Sequence, residues 1–354
     1  MTKRTRYFIL GSFALLVAGL CTGLFAYYGG LPAGAFSGKG GPAEFAYVPE
    51  DAVVVAFADV QEVMSSELRR KLQEAMPPGE AKGREELEAE TGINLERDID
   101  HVVACAVAGP EGAGDLKSGF VAFRGRFDAV RLENLAVEKG ATVADYKGRR
   151  LIVLPTDKHH GKATGEQAEA GEEPAPARRH DPKRQMVLAF VEPGLAMFGD
   201  DVSVKLAIDT AASGRDVRDN AELMRLVNDL DRGANAWAVG RFDLLASRAK
   251  LPEGLSGKIP AIKWFAAAGR VNGGVSAALR AEARDEEAAR NLRDVVNGFM
   301  ALARMQAEAR PEWNALMSSL QLSGTGTTVQ LSFSIPAELM DAIVAHGRKG
   351  SHSD

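Results

Sequence analysis

His101 and Cys105 stand four residues apart in a run that reads as a strand, so both side chains fall on the same side of it. A thiol beside an imidazole is the pairing that a cysteine nucleophile uses, with the histidine as its base. A strand thiol is also a small apolar residue that packs in a core, and burial accounts for Cys105 without catalysis. No G-x-S-x-G turn occurs, so the chain lacks the elbow that exposes a serine nucleophile. A phosphate-cradling G-x-x-x-x-G-K-[ST] loop and a G-x-G-x-x-G dinucleotide turn are both missing.

The remaining chemistry-bearing residues are scattered. Ser247-Arg248-Ala249-Lys250 has the S-x-x-K spacing of penicillin-interacting serine enzymes, but their S-D-N and K-T-G companions are absent. Of the six histidines, His159, His160 and His180 lie in a polar stretch and His346 and His352 near the C-terminus, leaving His101 alone in an expected core element. Glu96, Asp98 and Asp100 lack the glycine and terminal glutamate of a calcium loop, and Asp200-Asp201 reads as a helix start. His159-His160 with His180 form a poor coordination site because their stretch holds no fixed geometry. Met64, Met76, Met224, Met300 and Met305 fall on expected helices, where core packing or an adaptable apolar groove would use them. The expectation is no catalytic, cofactor-binding or metal-ligating set.

One tetrapeptide occurs twice, Gly125-Arg126-Phe127-Asp128 and Gly240-Arg241-Phe242-Asp243. In both copies an expected strand hands over to an expected helix. An aspartate there accepts free amide hydrogens of the first helical turn and suits the helix dipole, which makes Asp128 and Asp243 expected caps, with Asp59 a third after the first strand. Arg126 and Arg241 are the weak candidates for anion-binding arms. The plainer reading is a shared joint of cap, buried Phe and Arg-Asp pair.

These residues are carried by a chain of 354, with 45% apolar and 26% charged content and a net charge of −5. That composition fits a globular body, and the intermixed, mildly acidic charge argues against a nucleic-acid partner. Its start is different. Lys3, Arg4 and Arg6 precede an uncharged run of 22 residues from Tyr7 to Tyr28, about 33 Å as a helix. The run matches a bilayer core and is flanked by tyrosines, so residues 1–6 read as a cytoplasmic basic tail and 7–28 as a transmembrane signal-anchor. The body then lies outside, periplasmic or extracellular. Ala33-Gly34-Ala35 leaves open cleavage after Ala35 and secretion. Leu20 before Cys21 is too large for a lipidation motif.

Residues 29–46 read as a flexible Gly/Pro/Ala spacer. Hydrophobic periodicity then gives strand, helix, strand, strand, helix, strand, strand, and the pattern starts again. The reading is α+β: two tandem, weakly similar units of antiparallel sheet covered by helices, 47–200 and 201–346, followed by a polar tail, 347–354. Residues 156–185 have no aliphatic side chain larger than Ala and read as a disordered insertion within the first unit. The longest expected helix, Asp285 to Ala309, has an apolar face including Leu292, Val295, Val296, Phe299, Leu302 and Ala303.

Val48-Pro49-Glu50-Asp51-Ala52 before a Val-rich strand, Thr91-Gly92-Ile93-Asn94 before Asp98-Ile99-Asp100, and the Tyr146-Lys147-Gly148 hairpin, together with the anchor, form a recognisable layout. It resembles an uncharacterised family of bacterial N-terminally anchored extracytoplasmic proteins. The resemblance implies an inner-membrane tether and no assigned activity, so no site residue is carried over. The expectation is a non-catalytic binding or scaffold module for a protein partner, membrane-bound through residues 7–28. A carrier or sensor of a hydrophobic small molecule is the alternative, and an unidentified hydrolase the second.

Overall fold

The computed structural model describes residues 41–67, 69, 88–107, 118–155, 185–246, 261–272, 274–307 and 316–336. Its centre is an antiparallel pair, β1 (Val54–Asp59) and β8 (Ala236–Arg241), with Phe57 opposite Trp237. From β1 the sheet runs outward through β2 (Ile99–Val107), β3 (Ser118–Gly125), β7 (Leu195–Asp200), β6 (Met186–Glu192), β5 (Arg149–Val153) and β4 (Thr142–Tyr146). From β8 it runs through β9 (Ile262–Asn272), β10 (Gly274–Ala283), β12 (Thr328–Ile335) and β11 (Gln321–Ser323). Among the described residues this makes one sheet of twelve strands, and every neighbouring pair is antiparallel. The protein is α+β, as its periodicity implies.

Alternation along the strands sorts side chains to two faces. One face carries Val55, Phe57, Val103, Ala122, Met197 and Trp237, all buried. A 3₁₀ turn at Ala43–Tyr47, α4 (Asp201–Ser213) and α5 (Ala221–Asn228) contribute Phe45, Val204, Leu223 and Leu226 to the same core. Phe57 stacks on Trp237 at 5.7 Å and Phe45 meets the same indole edge-on at 6.1 Å. Burying such aromatic pairs contributes about 0.5–1.5 kcal/mol beyond area alone.

The opposite face has smaller covers. Helix α7 (Glu286–Ala307) lays Ala288, Ala289 and Leu292 over Ala283 and Val329. Near the other end of α7, Met300 packs with Met317 and Leu320. Below β1 and β2, α1 (Val60–Met64) and α2 (Leu95–Asp98) enclose Val60 and Ile99 with Phe123 and Phe127. Helix α3 (Ala129–Glu138) buries Leu132 and packs against β5, and α6 (Phe242–Ala246) packs against β9.

Two expected boundaries change. The spacer expected over 29–46 gives way sooner, because Gly41 onward belongs to the body: Phe45 is fully buried and Val48 closes the turn onto Phe45. Aromatic side chains at 45 and 47 supply the apolar area that a spacer lacks. The division at 200 falls inside packed structure, since α4 lies against β3, β6, β7 and the 3₁₀ turn. The expected anchor at 7–28, the insertion at 156–185 (all but Gln185), the tail at 347–354, Met76, Ser247 to Lys250 and every histidine except His101 lie outside the described residues. Among those described, no helix is long and apolar enough to cross a membrane.

Candidate functional site

The one buried polar constellation around His101 starts from Glu44, which sits in the 3₁₀ turn and is only 1% exposed. Its Oε2 lies 2.9 Å from His101 Nε2, and its Oε1 accepts a bond from Arg124 Nε. Arg124 reaches Glu192 Oε2 at 3.3 Å, and the Tyr47 hydroxyl donates to Glu192 Oε1 at 2.9 Å. The sheet register brings this about: His101 on β2 pairs directly with Arg124 on β3, so both side chains project to the core face beneath Glu44. The 2.9 Å contact has the distance of an ion pair but not the geometry of a hydrogen bond, and neither atom has a hydrogen-bond partner elsewhere.

Burial alone would raise the Glu44 pKa, but His101 and Arg124 outweigh it and bring the carboxyl down to about 2. Tyr47 goes the other way, pushed up to about 12 by burial and by its bond to the Glu192 carboxylate. The chemistry is therefore a fixed charge clamp. Glu44 is too acidic to serve as a base near neutrality, and no Ser, Thr or Cys among the described residues bonds to His101. Cys105 does share the face of His101, but four strand residues separate them by about 13 Å. Its thiol is buried, and burial pushes its pKa up beyond the range where thiolate forms. The nucleophile-base pair that their spacing suggests does not assemble.

Asp59 lies beside this clamp as the cross-strand partner of His101 on β1. It is the N-cap of α1, accepting the Glu62 amide at 2.8 Å through Oδ1. Its other oxygen is buried with no partner. Burial raises its pKa to about 7, with the Glu62 charge adding to the rise and the Glu62 amide bond opposing it.

The two Gly-Arg-Phe-Asp joints are built differently. Asp128 caps α3 through the Arg131 amide at 3.0 Å. Arg126 donates to the Arg97 carbonyl, tying β3 to α2. In the second copy Asp243 lies inside the first turn of α6, and its carboxylate takes both Arg241 Nε and Nη2, at 2.8 and 2.6 Å. Arg241 also lies over the Trp264 ring at 5.2 Å. The Arg241 guanidinium is thus taken up by Asp243, whereas Arg126 is exposed and spends one N–H on the Arg97 carbonyl. What the copies share is the glycine: a Cβ at Gly125 would run into the Asp98 carbonyl, and one at Gly240 would come 2.5 Å from the Val53 carbonyl. The motif marks where a neighbouring backbone crosses close to a strand end.

A second surface stands out on α7. The broad apolar arc of this helix is split by the sheet. Leu292, Val296, Met300 and Ala303 turn inward, whereas Val295, Phe299, Leu302 and Met305 stay exposed, Phe299 at 47% and Met305 at 71%. Their spacing of four, three and three places them in one stripe along three turns. Gly298 lies within it, with open space where a Cβ would be. Sequence periodicity shows the apolar arc but cannot say how much of it a sheet will cover. Glu44 was hidden for a different reason, being embedded in a stretch whose composition is that of a spacer.

Among the described residues no three His, Cys, Asp or Glu side chains gather as a metal site would require. No family model matches the chain, and no curated protein does. A solved structure described as crystal form I of TP0453 is similar at a TM-score of 0.41 and 9% identity, over 86% of this chain and 96% of that one; at that distance the likeness carries no function.

Proposed function

We propose that the protein is a non-catalytic binding module, held at the outer face of a bacterial inner membrane by residues 7–28 and docking a helix of a protein partner on α7. The observation that carries this reading is the uncharged stripe of Val295, Phe299 and Leu302 beside the Gly298 notch. A helix surface with a small residue between larger ones accepts the ridge of a second helix. Contiguous apolar surface of this kind, on a body whose core is otherwise closed, marks an interaction site. The main core cluster is filled by large side chains, which disfavours the carrier alternative.

Two features support the finer organisation. The half that starts at β8 reads strand, short helix, two paired strands, helix, hairpin, and the half that starts at β1 has the same order with α2 and a second hairpin, β6-β7, added, which suits an old duplication of one α+β unit. Gly41, the first described residue, already belongs to the body, so at most about a dozen residues separate the body from an anchor ending at Tyr28, which even fully extended could reach no more than about 40–45 Å. A partner would then be met close to the membrane.

The test is the mass of the full-length protein extracted from its membrane in mild detergent, measured by light scattering with the detergent contribution removed. Wild type is expected to carry a partner in fixed ratio and Phe299→Glu to run at its own mass. Equal masses for the two, with α7 still folded, would overturn the reading.

A further inference from the structure

We propose that the trough between the end of α5 and the outer strands β9, β10, β12 and β11 is a binding site for a neutral oligosaccharide, independent of the α7 stripe. It encloses about 520 Å³, within the range of ordinary ligand pockets. The trough exists because small residues replace large ones on one sheet face. Where β1 and β8 carry Phe57 and Trp237, the continuation of that face presents Ala266, Ala268 and Ala278.

Around this low floor the sheet sets out hydroxyls and amides at strand spacing. Ser276 pairs with Ser334, Ala278 with Ser332 and Arg280 with Gln330, and Gln321 pairs with Ser332 from the other side. The side chains of Ser276, Gln321, Gln330, Ser332 and Ser334 make no hydrogen bond to other described residues, so they offer donors and acceptors outward. Leu226 and Leu230 form an apolar wall.

Charge and backbone narrow the ligand class. Asp229 and Asp231 balance Arg270 and Arg280 along the lining. Arg280 is held by Asp229 at 3.1 Å and Glu282 at 3.0 Å, leaving its buried Nε–H without an acceptor. A strongly charged ligand therefore gains little. Strands β9 and β10, which form the floor, are paired on both edges, so a peptide can add as a further strand only at the rim, along β11 and the part of β12 beyond it. On the floor a ligand meets side chains alone, with many small polar groups on one side and C–H surface on the other. A pyranose chain has that character.

The experiment is titration calorimetry of the full chain in phospholipid nanodiscs, which carry no sugar headgroup. Chitotriose and maltotriose are the probes, separating N-acetylated from plain glycans. Saturable binding of either is expected below about 1 mM. Ser276→Trp, which blocks an exposed mouth position, should weaken it at least about tenfold, and Ser332→Ala about threefold to tenfold. Both variants should melt with wild type. The proposal is overturned if neither sugar saturates by about 10 mM, if Ser276→Trp binds as wild type does, or if a neutral tripeptide binds more tightly than both sugars. None of these outcomes depends on a partner at α7.

Discussion

The two faces of the sheet hold their apolar residues on different terms. On one, the 3₁₀ turn, α4 and α5 are pressed flat, and Phe45, Val204 and Leu223 are fully buried. On the other, α7 buries Leu292 and Met300 yet leaves Phe299 and Leu302 about half exposed. The turn at 43–47 is fastened by a buried ion pair at Glu44, whereas α7 is fastened by methyl contacts and by Arg293 donating to the Gly326 and Thr328 carbonyls at 2.9 Å. Most apolar surface on the first face therefore serves folding, with Val202 and Leu206 of α4 the exceptions. On the second face α7 keeps a whole stripe of four apolar side chains exposed, the surface on which the proposed docking rests.

The sharpest way to break this contrast is at the fastened face. Glu44→Ala strands His101 and Arg124 without their carboxylate, so it should cost about 2–4 kcal/mol in denaturant unfolding, discounted for the partial exposure of Arg124. The same group supplies an acid dependence. Its folded pKa of about 2 lies below the unfolded carboxylate value, so its contribution is complete above about pH 4.5 and is lost as pH falls toward 2. A melting series across that window should show wild type losing more than Glu44→Gln. Next comes the inward side of α7, where Leu292→Ala should cost about 2–3 kcal/mol through the cavity it leaves.

Smaller effects refine the picture. Asp59→Asn retains an N-cap acceptor while removing a carboxyl whose folded pKa, about 7, exceeds its unfolded value. A raised carboxyl pKa favours the fold below the unfolded pKa, and that advantage fades as pH climbs through 7. The variant should therefore be more stable than wild type by about 1 kcal/mol at pH 8 and lose the advantage near pH 4. If the gain is equal at both values, Asp59 is not buried as an acid. Asp128→Ala should cost about 1 kcal/mol. Phe299→Gln, on the outward stripe, should stay within about 0.5 kcal/mol of wild type, and a larger loss would place that ring in the core.

Local signals made much of this architecture readable. Lys147 and Gly148 both take positive φ, 52° and 76°, as the tight hairpin between β4 and β5 requires, and β9 and β10 pair antiparallel as their alternation indicates. The central join was not readable, because β1 and β8 meet across a long intervening stretch of chain and carry no mutual signal beyond both being apolar. The Gly-Arg-Phe-Asp pair was readable as a joint but not in its detail. Asp128 caps a helix while Asp243 clasps Arg241, since the helix at the second copy begins two residues earlier in the motif, at Phe242. The Glu44 clamp depends on a 3₁₀ turn folding back over two strands, a tertiary event with no periodicity to announce it.

The most direct measurement places a photoactivatable side chain at Leu302, within the stripe, and at Asn297, exposed across the same helix, in the full-length protein in its own membrane. The account predicts one discrete adduct from position 302 that is absent from position 297 and disappears in the Phe299→Glu background. Identical adducts from both positions, or none from 302, would contradict it.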